Sequence, residues 1–220
     1  MFAESPKGHI VFDCDETLIS SYQNVLSITK QVLSNHFKQD ISVNEIRERF
    51  SADYKTFYSN WGLSLEEGEQ LRKNWWEIAS QGDHIYNVFP GMVNFLEQLI
   101  HDGFHLHIWT ARDRSSTLEI LKKENIIHYF LNFCCGDDPS PKPYSEGLKL
   151  MVGDIDKDLV VVVGDSEMDL KGAEIFGCHS IAATWGDGID LSSLKKYKTS
   201  KFAKKPSECL GIIKEIFENK

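Results

Sequence analysis

The chain has 220 residues, of which 41% are hydrophobic and 26% are charged, as in ordinary globular proteins. Its net charge of −9 argues against a nucleic-acid surface, because such surfaces attract phosphates with clustered lysine and arginine. Five cysteines without a C-x-x-C spacing argue against a disulfide framework and a structural zinc site. No apolar run approaches the roughly 20 residues that cross a bilayer, and the first residues lack a signal-peptide pattern. We therefore expect a cytoplasmic protein that binds neither nucleic acid nor a membrane.

Four short apolar runs, at residues 9–12, 104–109, 159–163 and 179–183, have the character of strands. The run at 159–163 is apolar without alternation, as expected for a strand that is buried on both faces of a parallel sheet. Apolar residues at helical spacing predict helices at 92–101, 115–124 and 167–176. This alternation of strands and helices predicts an α/β fold with a Rossmann-like core, built on an open parallel sheet.

The segment from residue 20 to residue 87 breaks this alternation and has a helical pattern throughout. We predict helices at 25–37, 43–50 and 65–79, two of which begin with capping-box signatures at Ser42 and Ser64. No strand pattern appears in the segment, and Pro90 and Gly91 mark the return to the core. We therefore predict an all-helical cap domain at 20–87, inserted into a core domain formed by residues 1–19 and 88–220.

Polar clusters follow the predicted strands, at the place where open α/β sheets bind ligands. Asp13 and Asp15 follow the first strand, Asp165 follows the third, and Asp169 lies one helical turn later. Taken alone, each aspartate is better interpreted as a turn former or a helix cap. Together at one sheet edge they form an oxygen-rich site that suits a hard cation such as Mg²⁺. Because Asp13 and Asp15 would repel one another, we also expect a positive group between them.

The order of these motifs resembles that of the haloacid dehalogenase superfamily. Residues 13–18 (DCDETL) resemble its first motif, D-x-D-x-T, and residues 164–169 (GDSEMD) resemble its fourth. Thr110 resembles the second motif and Lys142 the third. The match runs from residue 10 to about 186 and is most similar to the phosphoglycolate-phosphatase-like branch, which carries a helical cap directly after the first motif. Residues 201–210 also resemble the last strand and helix of that branch.

The resemblance implies a phosphate hydrolase with Asp13 as a nucleophile that forms an aspartyl phosphate. It implies Asp15 as the general acid and base. A carboxyl group at this position distinguishes the phosphate hydrolases of the superfamily from the dehalogenases. The implied cofactor is Mg²⁺, held by the side chains of Asp13 and Asp165 and by the main-chain carbonyl of Asp15. Asp169 would belong to the same site, either binding the ion through water or anchoring the residues that bind it.

The resemblance also implies a phosphate-binding group around the second and third motifs. Thr110 and the N–H of Ala111 would bind phosphoryl oxygens, and Lys142 would offset charge on the nucleophile and the phosphate. Arg112 is a candidate for substrate contact, whereas Arg114 either contacts the substrate or supports the following helix. On position alone, Lys142 would be interpreted as a solvated loop lysine, and Thr110 as a strand-end turn residue.

Several other residues have a structural and a functional interpretation. His105 and His107 are interpreted as partly buried strand histidines rather than as a metal pair, and Trp75 and Trp76 as part of the core of the cap. Five aromatic residues are candidates for either a substrate pocket or packing within the cap: Tyr22, Tyr54, Phe57, Tyr58 and Trp61.

Two positions depart from the family pattern. Glu16 stands where family members often have glycine, which tolerates backbone angles that strain other residues, so we expect a somewhat reshaped turn. Ala111 and Arg112 follow Thr110 where the phosphoglycolate group commonly has Thr-Asn or Thr-Ser. This second departure argues against a simple transfer of phosphoglycolate as the substrate.

The sequence thus predicts a phosphomonoesterase that acts on a small phosphorylated metabolite, as a monomer or a homodimer. One alternative is a phosphotransferase or mutase of the β-phosphoglucomutase type, which passes the phosphoryl group to a sugar. Another is a non-catalytic module that binds phosphate and has a regulatory role. The presence of Asp13, Asp15 and Lys142 argues against the second alternative.

Overall fold

The computed structural model describes residues 6–51, 54–81, 84–197 and 200–218. The chain divides into two compact units. The sheet unit comprises Met1–Ser20 and Tyr86–Lys220, and the helical unit comprises Ser21–Ile85. These limits differ by one or two residues from the predicted core and cap boundaries, and the assignment of two domains stays a prediction. None of the helices in the described ranges has both the length and the apolar character needed to cross a membrane.

Six parallel strands form the main sheet within the described part of the sheet unit. Their bounds in chain order, with the labels used below, are Gly8–Phe12 (β1), Phe104–Trp109 (β4), Phe130–Cys134 (β5), Val160–Gly164 (β6), His179–Ala183 (β7) and Ser200–Ala203 (β8). Across the sheet they lie in the order β5, β4, β1, β6, β7, β8. A separate antiparallel ribbon is made by Ile19–Ser20 (β2) and Asn87–Val88 (β3).

The register of the central strands brings three motifs to one edge of the sheet. Phe12 at the end of β1 lies opposite Ile108 of β4 on one side and Val163 of β6 on the other. The residues that follow these strands, including Asp13, Thr110 and Asp165, therefore share the carboxyl edge, where α/β sheets bind ligands.

Helices cover both faces of this sheet. The helices of the sheet unit are Met92–His101 (α5), Arg114–Lys123 (α6), Glu146–Val152 (α7), Glu167–Phe176 (α8), Leu191–Leu194 (α9) and Pro206–Glu218 (α10). Because side chains alternate along a strand, Phe12 of β1 packs in the cluster that includes Phe95 of α5 and Ile213 of α10. Val11 packs in the opposite cluster, with Leu148 of α7 and residues of α8. The predicted α/β fold with an open parallel sheet is confirmed.

The helical unit consists of Tyr22–Phe37 (α1), Val43–Arg49 (α2), Tyr54–Asn60 (α3) and Leu65–Gln81 (α4). Both predicted caps are present. Ser42 Oγ accepts the N–H of Glu45 at 3.1 Å, and Ser64 and Glu67 form the full reciprocal box, at 3.2 and 2.9 Å. These bonds satisfy N–H groups that a helix start otherwise leaves unpaired.

Of the five candidate aromatics, three lie in the core of the helical unit: Phe57, Tyr58 and Trp61. For these three, the packing interpretation is the one that the burial supports. Tyr22 packs partly buried against the same core, whereas Tyr54 is 49% exposed. Trp75 also packs against this core, and its ring meets that of Trp76 edge to face at 5.0 Å.

The structure corrects the predicted elements at several places, and the short helices α7 and α9 are among the elements that were not predicted. Strand β5 was not predicted, and neither was helix α3. The segment 20–87 was predicted to lack strands, but its two ends form the β2–β3 ribbon. Strand β6 begins at Val160 rather than at residue 159, because Lys157–Leu159 forms a 3₁₀ turn that Asp156 caps.

Candidate active site

The first motif forms a tight turn directly after β1. The N–H of Asp13 still donates to the carbonyl of Val163 at 2.9 Å, so Asp13 continues the pairing of the sheet. The N–H groups of Leu18 and Ile19 then both donate to the carbonyl of Cys14, at 2.9 and 3.1 Å. The turn therefore closes on Cys14, whose side chain is buried in the core, and the two aspartates of the motif flank it.

Glu16 adopts a left-handed backbone conformation in this turn, with φ of 55°. Glycine reaches this region without steric penalty, whereas a residue with a Cβ atom is strained there. The turn thus has the left-handed backbone that a glycine would adopt. This angle therefore gives no support to the expectation that Glu16 reshapes the turn. The Glu16 side chain is buried and turns toward the loop after β7.

Asp13, Asp165 and Asp169 form a compact carboxylate cluster at the sheet edge. One oxygen from each lies within 4.8 Å of the others. Burial raises the pKa of Asp13 to about 7, although Lys142 acts in the opposite direction. Burial and the neighbouring Asp13 likewise raise the pKa of Asp165 well above its ordinary value. The cluster therefore concentrates more negative charge than its surroundings stabilise.

Lys142 places a buried positive charge in the cluster. Its ammonium group contacts Asp13 Oδ1 and Asp169 Oδ1, and its side chain is only 2% exposed. Burial acts to lower the pKa of Lys142, but the two carboxylates hold it above its ordinary value. The interpretation of Lys142 as a solvated loop lysine is therefore wrong. The positive group contacts Asp13 and Asp169, whereas it was expected between Asp13 and Asp15.

Asp169 has one oxygen in a helix cap and the other in the cluster. Its Oδ2 accepts the N–H and the hydroxyl of Ser166, at 3.0 and 2.6 Å, which completes the capping box of α8. Its buried Oδ1 has the ionic contact with Lys142 but accepts no well-aligned hydrogen bond from the described residues. Of the two roles expected for Asp169, this geometry fits the anchor.

Asp15 lies apart from the carboxylate cluster and pairs with Arg112. The guanidinium donates Nε–H to Asp15 Oδ2 at 3.0 Å and Nη2–H to Oδ1 at 2.6 Å, a bidentate geometry. It also lies 5.1 Å from the centre of the Tyr86 ring, and the Arg112 side chain is 9% exposed. Arg112 is thus engaged by the predicted acid–base residue, and its predicted contact with substrate stays a prediction.

Thr110 and Ala111 follow β4 at the same edge. Thr110 is buried, its N–H donates to the carbonyl of Cys134 at 2.9 Å, and its hydroxyl accepts the N–H of Arg112 at 3.2 Å. Ala111 is exposed, and a Cβ atom at Gly136 would lie 2.0 Å from its carbonyl oxygen. The neighbouring loop can approach Ala111 only because residue 136 is glycine.

Sequence reasoning missed the contribution of Trp109. The indole is fully buried, and Lys142 Nζ lies 5.6 Å from the centre of its ring. A Cβ atom at Gly172 would lie 2.1 Å from the ring, so this glycine makes room for it. Trp109 therefore forms a wall beside the ammonium group, and a large aromatic residue next to the second motif was the one signal for it.

Sequence and structure comparisons place the chain among known proteins. The family model described as haloacid dehalogenase-like hydrolase matches residues 10–183. A phosphoglycolate phosphatase from Neisseria gonorrhoeae is 31% identical over 224 residues, which cover 96% of this chain and 92% of that protein. The chain belongs to the haloacid dehalogenase-like hydrolase family. The predictions of this family and of an enzyme are confirmed.

Two further relatives of this haloacid dehalogenase-like hydrolase span nearly its whole length. The pyrophosphatase PpaX of Bacillus pumilus is 23% identical and covers 96% of this chain and 98% of its own. A crystal structure described as a predicted phosphatase from Clostridium acetobutylicum has a TM-score of 0.82 at 21% identity, over 96% of this chain and 100% of that one. At this level of identity the structural likeness shows the fold.

Arg114 lies outside the carboxylate cluster of this hydrolase. Its guanidinium pairs with Asp138, at 2.6 and 3.1 Å, and donates to the carbonyl of Phe133 at 3.0 Å. Its N–H donates to Asp137 at 2.8 Å, where α6 begins. Of the two roles expected for Arg114, support of the helix is the one that these contacts favour.

The strand histidines form a cluster of their own. His9 Nδ1 and His107 Nε2 lie 2.9 Å apart, and the rings stack with centres 5.1 Å apart. Burial lowers the pKa of His9 to about 4 and that of His107 to about 3. His105 meets His9 edge to face at 5.5 Å. His107 thus pairs with His9, and these contacts support the interpretation of strand histidines.

The carboxylate cluster has the chemistry to hold a metal ion. Its donors are oxygens, which hard divalent cations prefer. Burial and the neighbouring carboxylates raise the pKa values of Asp13 and Asp165, and a bound cation would offset both effects. Asp169 Oδ1 retains unused capacity as an acceptor. Thr17 supports the set, since its hydroxyl donates to Asp165 Oδ1 at 3.3 Å. The residues therefore fit a divalent cation.

Proposed function

We propose that this protein is a Mg²⁺-dependent phosphatase that hydrolyses a small phosphorylated metabolite through an aspartyl phosphate on Asp13. The observation that carries the proposal is the buried ammonium group of Lys142, which contacts Asp13 at the carboxyl edge of the sheet. An ammonium held there offsets charge on an attacking carboxylate and on the phosphoryl group that it attacks. The phosphatase names of the full-length relatives support the same reaction class.

Four aspartates would form the cation site. The side chains of Asp13 and Asp165 and the main-chain carbonyl of Asp15 would hold Mg²⁺, with Asp169 as an anchor or as a ligand through water. When bound, the cation supplies the positive charge that allows a phosphoryl group to approach these carboxylates. The oxygen-only donor set and the unbalanced charge of the cluster support this assignment.

In the first half of the reaction, an oxygen of Asp13 forms a bond to phosphorus while the bond from phosphorus to the leaving oxygen breaks. Asp15 donates its proton to that oxygen, so an alcohol leaves. Thr110 and the N–H of Ala111 bind the phosphoryl oxygens, and Lys142 offsets their charge. The covalent intermediate divides one difficult displacement into two easier ones.

In the second half, a water oxygen attacks phosphorus and the bond from phosphorus to Asp13 breaks. Asp15, now ionised, takes the proton of that water. Inorganic phosphate leaves, and both carboxyl groups return to their initial states. The bidentate pair with Arg112 supports the base role, because it orients Asp15 and favours its ionised form.

The proposal names a class of substrates rather than a single compound. The relatives named above are a phosphoglycolate phosphatase and a pyrophosphatase, so phosphoglycolate and pyrophosphate are the first compounds to test. The side chains that follow Thr110 differ from the pair that is common among phosphoglycolate phosphatases. We therefore propose phosphomonoesters of small metabolites as the class and Arg112 as one residue that contacts them.

A panel of phosphorylated metabolites, assayed with Mg²⁺ for release of inorganic phosphate, tests the proposal. We expect hydrolysis by the wild type and none by Asp13→Asn, with Asp154→Asn as a matched control at an exposed aspartate of the same unit. Activity that survives in Asp13→Asn rejects the nucleophile. Isomerisation of a sugar phosphate without release of phosphate favours a mutase, and binding without turnover favours a regulatory module.

A further inference from the structure

The Glu16 side chain joins the turn of the first motif to the loop after β7. Its Oε2 accepts the N–H of Asp187 at 2.7 Å, and the residue is only 6% exposed. A hydrogen bond from an N–H to a carboxylate is stronger than one to a neutral acceptor. The contact therefore ties together two segments that are 171 residues apart in the chain.

A second bond connects the same two segments. The indole Nε1–H of Trp185 donates to the carbonyl of Thr17 at 3.0 Å. Between the two bonds, a Cβ atom at Gly186 would lie 2.7 Å from the main-chain and side-chain oxygens of Glu16. The loop at 184–187 thus packs directly onto the turn, at a distance that only glycine permits.

The backbone of the turn does not explain why residue 16 carries a side chain. At φ of 55° a glycine would be less strained than a glutamate. The side chain therefore opposes the backbone conformation. Its carboxylate bond to the loop holds the residue there, together with the bond from its N–H to the carbonyl of Ile19 at 2.8 Å. Strain that persists because its surroundings impose it is characteristic of functional sites.

We infer that Glu16 is a positioning residue, which places Asp15 by holding the turn against the loop at 184–187. Asp15 directly precedes Glu16, and its carboxylate accepts two hydrogen bonds from Arg112. The backbone is thus held at Glu16 and the carboxylate at Arg112, which leaves Asp15 little freedom. The inference rests on the proposed function, in which Asp15 protonates the leaving oxygen.

This role has a kinetic signature that a general loss of stability would not produce. An alkyl phosphate has a poor leaving group and depends on the proton from Asp15, whereas p-nitrophenyl phosphate leaves readily without one. Misplacement of an acid group by about 1 Å can lower a rate about 100-fold. Loss of the Glu16 contact should therefore slow alkyl phosphates far more than p-nitrophenyl phosphate.

The experiment compares Glu16→Gly with Glu16→Gln, measuring kcat and KM on p-nitrophenyl phosphate and on the alkyl phosphate that the wild type hydrolyses fastest. In Glu16→Gly we expect kcat to fall about 10-fold or more on the alkyl ester and less than about 3-fold on p-nitrophenyl phosphate. Glu16→Gln should restore both rates, since its amide oxygen can accept the Asp187 N–H. Lys38→Gly is the matched control, because Lys38 is exposed and has a φ of 54°.

The outcomes separate this inference from the proposed function. Equal losses on both esters, or no loss on either, would overturn the positioning role of Glu16. A wild type that hydrolyses neither ester contradicts the phosphatase proposal itself. If Glu16→Gly does not fold, Trp185→Phe removes the second bond without altering the turn, and it should show the same selective loss to a smaller extent.

Discussion

Two groups of buried ionisable side chains lie at the same sheet and differ in whether they contain a charged residue near neutral pH. At the carboxyl ends of the strands, Asp13 and Asp169 contact the buried ammonium of Lys142. Within β1 and β4, His9 and His107 lie 2.9 Å apart with pKa values lowered by burial. The carboxylate group contains a charged ammonium, that of Lys142, whereas the histidine group is neutral near pH 7.

The comparison separates burial from function. Burial alone favours the neutral form of any ionisable group, and the histidines follow that rule because no carboxylate is among the causes that shift them. Asp13 and Asp165 follow the rule as well, since burial raises their pKa values. Lys142 departs from it, because two carboxylates hold its pKa above the ordinary value. Charge that persists against burial is the feature that distinguishes a candidate active site from a packed polar cluster.

Removing the buried ammonium group of Lys142 should have the largest effect on activity. In Lys142→Met, the carboxylates lose their ammonium partner, and the phosphoryl group loses a compensating charge. We expect kcat to fall by about 100-fold to 1000-fold, measured on whichever ester the wild type hydrolyses fastest. Lys149→Met, at an exposed lysine of α7, should remain close to the wild type. A Lys142→Met enzyme within a few-fold of the wild type would reduce Lys142 to a structural role.

Binding of Mg²⁺ should stabilise the folded protein. Because Mg²⁺ would bind the folded carboxylate cluster and not the unfolded chain, a concentration of 100 times its dissociation constant should add about 2.7 kcal/mol to the free energy of unfolding. Denaturant unfolding with and without Mg²⁺, at matched ionic strength, measures this increase. Asp165→Asn should abolish it, whereas Asp154→Asn should not. An increase of equal size in Asp165→Asn would place the ion elsewhere.

Periodicity was sufficient to predict much of the fold. The bounds of β4, β7, α5 and α8 agree with the predicted ranges, because each has clear apolar spacing and a sharp polar or glycine boundary. Strand β5 was missed because it is a five-residue strand at the edge of the sheet, with polar Asn132 in its middle. Helix α3 has only seven residues, and it lacks the capping-box signature that marked the equally short α2.

The order of the motifs predicted which residues would meet at the sheet edge, but not how their side chains pair. Asp13, Lys142 and Asp169 are in contact as a group. The bidentate pair of Arg112 with Asp15 and the bond from Asp187 to Glu16 depend on side-chain rotamers and on loops distant in sequence. No local pattern encodes such contacts, because they arise only when the strands are in register.

The Arg112–Asp15 pair gives a prediction of intermediate size. Arg112→Met should lower kcat by about 10-fold, because Asp15 loses the partner that orients it. Arg114→Met is a matched control, since Arg114 makes a similar bidentate pair with Asp138 outside the carboxylate cluster. Steady-state kinetics should show a loss in Arg112→Met alone. If both variants lose the same activity, the effect is one of stability rather than of orientation.

The histidine group should make the free energy of unfolding depend on pH. The pKa values of His9 and His107 are about 4 and about 3 in the folded protein, against about 6.5 in an unfolded chain. Between these values the unfolded chain binds more protons, so the free energy of unfolding should fall as the pH decreases below about 6.5. Replacing both residues by glutamine should reduce the loss between pH 7 and pH 6 by about 1 kcal/mol, measured by denaturant unfolding. His128→Gln, at an exposed histidine, should keep the wild-type dependence. If the double variant keeps it as well, the buried imidazoles are not neutral by virtue of burial, and the contrast with the carboxylate group does not hold.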